Sequence, residues 1–128
     1  MKTPKVVLSQ SNNSSWDNKG LRGFLEYRDL GVIEATNNQL SAHIGRAIIA
    51  KKSTDHAPMH IHDTEFHFTY ILRGWMKTYY EGIGTVIMRE GDCVTCSGQV
   101  AQSHTEHSDD FEVLQITLPG QFKTINLW

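Results

Sequence analysis

The sequence predicts an all-β domain, a sandwich or barrel of short antiparallel strands. Three observations carry the prediction. Strand-forming runs recur at intervals of about 8–12 residues. Turn signals rich in Gly, Asn and Asp separate them. No stretch sustains a helical period of apolar residues.

Residues 1–23 read as an N-terminal arm and polar loop. Val6-Val7-Leu8 is a candidate short strand, and Ser9-Gln10-Ser11-Asn12-Asn13-Ser14-Ser15 a loop. Trp16 is expected to pack onto the domain body. A short helix near residues 17–25 or at the C-terminus is compatible with the pattern. The domain proper is predicted over residues 24–120, with 121–128 as a tail. Its first strand is expected over residues 24–30, followed by a turn at Thr36-Asn37-Asn38-Gln39. A second strand is expected over residues 41–51. The segment Thr54-Asp55-His56-Ala57-Pro58 reads as a loop with His56 exposed. Residues 66–72 carry Phe, Thr, Tyr and Ile, which favour strands, and Arg73-Gly74 interrupts before residues 75–80 resume. Glu81-Gly82-Ile83-Gly84 signals a hairpin into residues 85–88. Glu90-Gly91-Asp92 turns into residues 93–96, and Ser108-Asp109-Asp110 into residues 111–118, the strongest β pattern of the chain.

Composition narrows the function classes. The 128 residues suit one domain. Hydrophobic residues make up 39% and charged residues 20%, with a formal charge of −2, as in soluble globular proteins. No basic excess exists to neutralise phosphates, which argues against nucleic acid or an anionic membrane as partner. Apolar runs such as Ala47-Ile48-Ile49-Ala50 are too short to span a bilayer or to form a secretory signal. A cytoplasmic protein is expected. Cys93 and Cys96 have C-x-x-C spacing, but the run around them reads as a strand, on which residues three apart face opposite sides. Two packed or half-exposed thiols are therefore expected rather than redox or zinc chemistry.

The run Pro58-Met59-His60-Ile61-His62 is the most informative feature. On a strand His60 and His62 share a face, about 7 Å apart, and two such imidazoles can converge on one metal ion. His67 follows five residues later and Gly74 seven after that. This spacing resembles the first motif of the cupin superfamily: H-x-H, a short gap, Glu, six residues, Gly. Gly91-Asp92 begins a second, weaker motif. Glu26-Tyr27-Arg28-Asp29-Leu30-Gly31 and the segment from His107 to Ile116 are similar to the opening and closing segments of small single-domain bacterial cupins.

The resemblance implies an antiparallel jelly-roll β-barrel of the RmlC-like cupin type. It also implies a divalent metal ion, with iron, zinc, nickel and manganese as candidates. Position by position, the implied ligands are His60, His62, His67 in the glutamate place and Gln102 in the histidine place. His104 has the same strand parity as Gln102 and is an alternative. Two of the four positions depart from the family's residues. Imidazoles suit such ions, whereas an amide binds weakly, through its carbonyl oxygen. Without a carboxylate the site would keep its positive charge and favour an anionic substrate or a deprotonated water. His43 and Tyr70 are candidate substrate contacts from the barrel wall. His104 and His107 are otherwise expected in a loop or turn. Glu65 follows His62 too closely for the family's metal carboxylate and is expected to be solvated or paired.

Two functional readings stay open at this point. One is a metal-dependent enzyme, with dioxygenase, isomerase and lyase chemistry all compatible. The other is a metal-poor, non-catalytic barrel that binds a small ligand or serves as a structural dimerisation module. In both, the partners expected are a small organic molecule and a second copy of the chain, paired through sheet edges or the N-terminal arm.

Overall fold

The architecture is that of a computed structural model, described for residues 4–17, 24–48 and 57–127. Strand β1 spans Leu25–Asp29, followed by the single-turn helix α1, Val32–Ala35. Then come β2 (Ser41–Ala47), β3 (Ala57–His62), β4 (Phe66–Arg73), β5 (Trp75–Tyr80) and β6 (Gly84–Arg89). β7 (Cys93–Ser97), β8 (Ala101–His107), β9 (Glu112–Leu118) and β10 (Thr124–Asn126) complete the chain. All strand pairs are antiparallel. They form two five-stranded sheets, ordered β1-β2-β9-β4-β7 and β10-β3-β8-β5-β6. From β3 to β10 the chain crosses repeatedly between the two sheets, which is the jelly-roll path that the cupin resemblance implies.

Alternation of side chains builds the interior. On β4, His67, Thr69 and Ile71 are buried while Phe66, Phe68 and Tyr70 face the other way. On β5, Met76, Thr78 and Tyr80 are buried. Ile71, Phe111 and Val113, with Phe24, Leu25, Met76 and Met88, form the apolar centre. The remaining inward positions are polar, and they make the site.

Gly74 connects β4 to β5 with φ +73°. A Cβ there would collide with Ser108 Oγ and with Asp110 Oδ1. Ser108 Oγ accepts from the Trp75 backbone N–H at 2.9 Å, and the Ser108 N–H donates to the Trp75 carbonyl at 3.0 Å. The glycine thus lets the β8–β9 turn lock onto the β4–β5 turn.

Several elements differ from the sequence reading. Val6-Val7-Leu8 is not a strand. Val6 and Leu8 are exposed, and Val7 lies against Gly31. The neighbouring edge strand engages this segment by a side chain: Arg28 Nη2 donates to the Ser9 carbonyl at 3.2 Å and to Ser9 Oγ at 3.0 Å. Helix α1 is an unpredicted turn, started by Gly31 at φ +84° and closed by Thr36 Oγ1 donating to the Val32 carbonyl. His104 and His107 sit on β8 rather than in a loop, because cross-strand pairing with β3 and β5 holds this polar segment extended. The C-terminal residues contribute β10, paired with β3. Trp16 packs as expected, with the Arg46 guanidinium 3.7 Å from its ring centre. Cys93 is exposed and Cys96 buried, both free thiols. His56, the end of the predicted second strand and most of the possible helix at 17–25 lie outside the described residues.

Gly74→Ala is expected to destabilise the fold by about 2 kcal/mol more than Gly98→Ala. Both glycines have positive φ, but a Cβ on Gly98 meets nothing within 4 Å. Chemical denaturation of the two variants measures the difference.

Candidate metal and ligand site

Strand β3 delivers His60 and His62 to the interior, and β4 delivers His67. They are 2%, 7% and 6% exposed respectively. The His60 and His62 ring centres are 4.7 Å apart, and those of His62 and His67 are 5.0 Å apart, each pair edge-to-face. An ion held at roughly 2.1 Å from a donor nitrogen sits about 3.2 Å from the ring centre, so two ligands at about 90–110° have centres about 4.5–5.3 Å apart. The observed spacings fall in that range. As the rings stand, however, no three His, Cys, Asp or Glu side chains among the described residues form a group able to hold an ion. Ring spacing is that of a shared ion, while the donor atoms as placed do not converge on one.

Hydrogen bonding sets the tautomers. His60 Nδ1 lies 2.6 Å from the Pro58 carbonyl oxygen, which only accepts. In neutral His60 the proton therefore sits on Nδ1 and the lone pair on Nε2, the arrangement seen in metal-ligating histidines. His62 Nδ1 is 3.2 Å from Thr124 Oγ1, so β10 supports this ring, and Phe122 packs edge-on at 5.2 Å. Burial lowers the His67 pKa to about 4, and repulsion from His43 and His60 adds to it. His67 is thus neutral at physiological pH, as a ligand must be.

Gln102 is directly opposite His60 on β8 and is buried. His104 also lines the interior, but its Nε2 is 3.0 Å from His107 Nδ1 and its ring stacks on Phe24 at 4.9 Å. It belongs to a packed His104–His107–Phe24 cluster. Gln102, His60, His62 and His104 wall an inner cavity of about 60 Å³ whose described lining has no carboxylate, Lys or Arg. Thr78 Oγ1 also faces this cavity; it is buried without a hydrogen bond of normal geometry, and the Tyr80 phenol lies within its reach.

A larger pocket of about 560 Å³ opens beside it, walled by Tyr27, Asp29, Ile33, His43, Gln115 and Phe122 among others. Tyr27 and Gln115 line both spaces, so the two adjoin, and the larger, more open one is termed the vestibule. His43 Nε2 donates to Gln115 Oε1 at 2.7 Å. Burial lowers the His43 pKa, although the Gln115 bond and Asp29 pull the other way. His43 therefore lines this pocket.

Tyr70 does not. It is 36% exposed on the outer face of β4, in a stripe with Phe66 and Phe68. Strand parity explains the correction: once His67 and Thr69 point inward, Tyr70 points out. Sequence reading missed Gln115, Tyr27, Thr78, Phe122 and Thr124. The available signal was alternation on β9, where Val113 and Thr117 are inward and Gln115 shares their parity.

Because the folded-state His67 pKa lies below its unfolded value, the unfolded chain takes up more protons between about pH 6.5 and 4. The metal-free protein is expected to lose stability as pH falls through that window, by about 3 kcal/mol from this residue. Urea midpoints measured from pH 7.5 to 4 should fall less steeply in His67→Gln.

The sequence matches no protein-family model and no curated relative. Solved structures match well. KdgF from a Halomonas species aligns at a TM-score of 0.72 and 13% identity, over 91% of this chain and 96% of that one. The polyketide cyclase RemF from Streptomyces resistomycificus aligns at 0.74 and 14%, over 97% and 87%. An RmlC-like cupin from Shewanella frigidimarina aligns at 0.65 and 14%, over 90% and 92%. Likeness of this extent at such low identity is a likeness of backbone. Two antiparallel sheets joined by jelly-roll crossings, with a His-x-His strand turned inward, give this chain the cupin fold.

Proposed function

We propose that the chain binds one divalent metal ion through His60, His62 and His67 and holds a small organic molecule in the vestibule beside it. The observation that carries this reading is the set of three buried imidazoles at ligand-like ring spacing. A bound ion would supply Lewis acidity or activate oxygen or water. The chain's own residues do the rest. The Pro58 carbonyl and Thr124 hydroxyl orient the His60 and His62 rings. Gln102 presents an amide beside His60. His43 and Gln115, hydrogen-bonded to each other, face the organic molecule.

A second reading, a non-catalytic ligand-binding barrel, is favoured by the absence of a convergent donor group among the described residues. Metal analysis of untagged protein separates the two. After loading with Fe(II), Ni(II), Mn(II) or Zn(II), the metal reading expects near-stoichiometric binding. Each of His60→Ala, His62→Ala and His67→Ala should reduce it to about a tenth or less while the circular dichroism stays native. Metal below about a tenth of an equivalent in the unmutated protein would leave the ligand-binding reading.

The reading includes a homodimer and a cytoplasmic setting. The outer face of the β1–β7 sheet carries Phe66, Phe68 and Tyr70 on β4 beside Leu118, Ile116 and Leu114 on β9. A solvated sheet face is ordinarily polar, so this face suits a partner. The two free thiols suit a reducing compartment, and no helix among the described residues is long and apolar enough to cross a membrane. Light scattering should give a dimer mass for the unmutated chain and a monomer mass for the Phe68→Lys/Ile116→Lys double variant.

A further inference from the structure

We infer that the vestibule takes a hydroxylated ring, a small molecule whose flat apolar body carries neutral hydroxyl groups that donate to Ser41 and His43. This rests on the reading of the vestibule as the ligand site and adds the polar groups that the ligand must carry.

Two cross-strand pairs carry the inference. β2 lies beside β9 with Ser41 opposite Thr117 and His43 opposite Gln115. Ser41 and His43 are two residues apart on one strand, so they share a face, about 7 Å apart. Both line the vestibule, together with Gln115. Thr117 Oγ1 donates to the Pro119 carbonyl at 3.0 Å. A hydroxyl has one proton to give, so the proton between Ser41 Oγ and Thr117 Oγ1 comes from Ser41. Ser41 Oγ is left with lone pairs alone to offer a ligand. His43 repeats the pattern. Its Nε2 donates to Gln115 Oε1, so the neutral ring keeps its lone pair on Nδ1. Burial holds that ring toward the neutral form. Both pairs thus donate from β2 to β9 and leave an acceptor on β2. Among the described residues, neither acceptor has a further protein partner.

The core fixes this arrangement. Ser41 is 5% exposed and Thr117 1%, so solvent does not reorient their hydroxyls. Gln115 Oε1 is occupied by His43, which leaves the Gln115 NH₂ as a donor between the two strands' acceptors and a ligand. A ligand hydroxyl both donates and accepts, so it can serve an acceptor on β2 and the Gln115 amide together. An ether or ketone oxygen could use only the amide. Ile33 and Phe122 supply apolar and aromatic surface to the same pocket, whose volume of about 560 Å³ holds a single ring.

Three probes of nearly equal size test the inference by NMR titration of the full chain without added metal: resorcinol, 3-methylphenol and 1,3-dimethylbenzene. Each step replaces one hydroxyl by a methyl group. Resorcinol should bind tightest and 1,3-dimethylbenzene weakest, with about a three-fold loss or more per hydroxyl removed. A merely apolar pocket gives the reverse order, because each methyl adds apolar surface. Ser41→Ala should bring resorcinol to the affinity of 3-methylphenol and leave 1,3-dimethylbenzene unchanged. The reverse order at this pocket, or an unchanged resorcinol affinity in folded Ser41→Ala, would overturn the hydroxyl assignment while leaving the vestibule as a ligand site. No shift at Ile33 or Phe122 with any probe would overturn both. Should Ser41→Ala fail to fold, the ranking of the three probes on the unmutated chain still decides.

Discussion

Burying imidazoles side by side is the constraint around which this interior is organised. His60, His62 and His67 occupy positions that an ordinary barrel would fill with Val, Ile or Leu. A charged imidazole there would lose its hydration and repel its neighbours, which is why His67 is held uncharged down to about pH 4. Neutral imidazole retains both a donor and an acceptor, and each must be placed. The Pro58 carbonyl and the Thr124 hydroxyl are two of those placements. The same burial that costs stability in acid keeps the lone pairs available at neutral pH.

The supports of these rings come from distant parts of the chain. Thr124 reaches His62 only because β10 pairs with β3, and Gln102 faces His60 only because β8 pairs with β3 on its other side. His67 is carried by the opposite sheet, on β4, flanked by β7 and β9. A short motif in sequence therefore becomes a site only after both sheets close. Gly74 takes part at a distance: it admits the Ser108–Asp110 turn that joins β8 to β9, the two strands carrying Gln102 and Gln115.

Much of this was legible in the sequence, for physical reasons that can be named. Period-2 alternation on β4, β5 and β9 and the Gly-rich turns gave the strands, and the His-x-His spacing identified the inward face of β3. What escaped has causes of its own. β8 is Ala-Gln-Ser-His-Thr-Glu-His, with too few apolar residues for its alternation to stand out, and cross-strand bonding makes it a strand. β10 is three residues long and exists only by pairing with β3. Tyr70 was misplaced because aromatic content does not reveal which face a residue takes; the parity of His67, three residues earlier, does. The His43–Gln115 pair joins residues 72 apart in sequence, through β2–β9 register that no local pattern encodes.

The two cavities offer different physical forces. The described lining of the inner cavity has no carboxylate, Lys or Arg, so what it offers is hydrogen-bond geometry. The vestibule is wider, partly apolar and bears carboxylates at its rim, where solvent weakens but does not abolish their field. The carboxylate and the buried imidazoles thus stand on different elements, Asp29 at the end of β1 and the histidines on β3 and β4. The backbone is shared with proteins only 13–14% identical to it, so the fold leaves the residues that line each cavity free to differ.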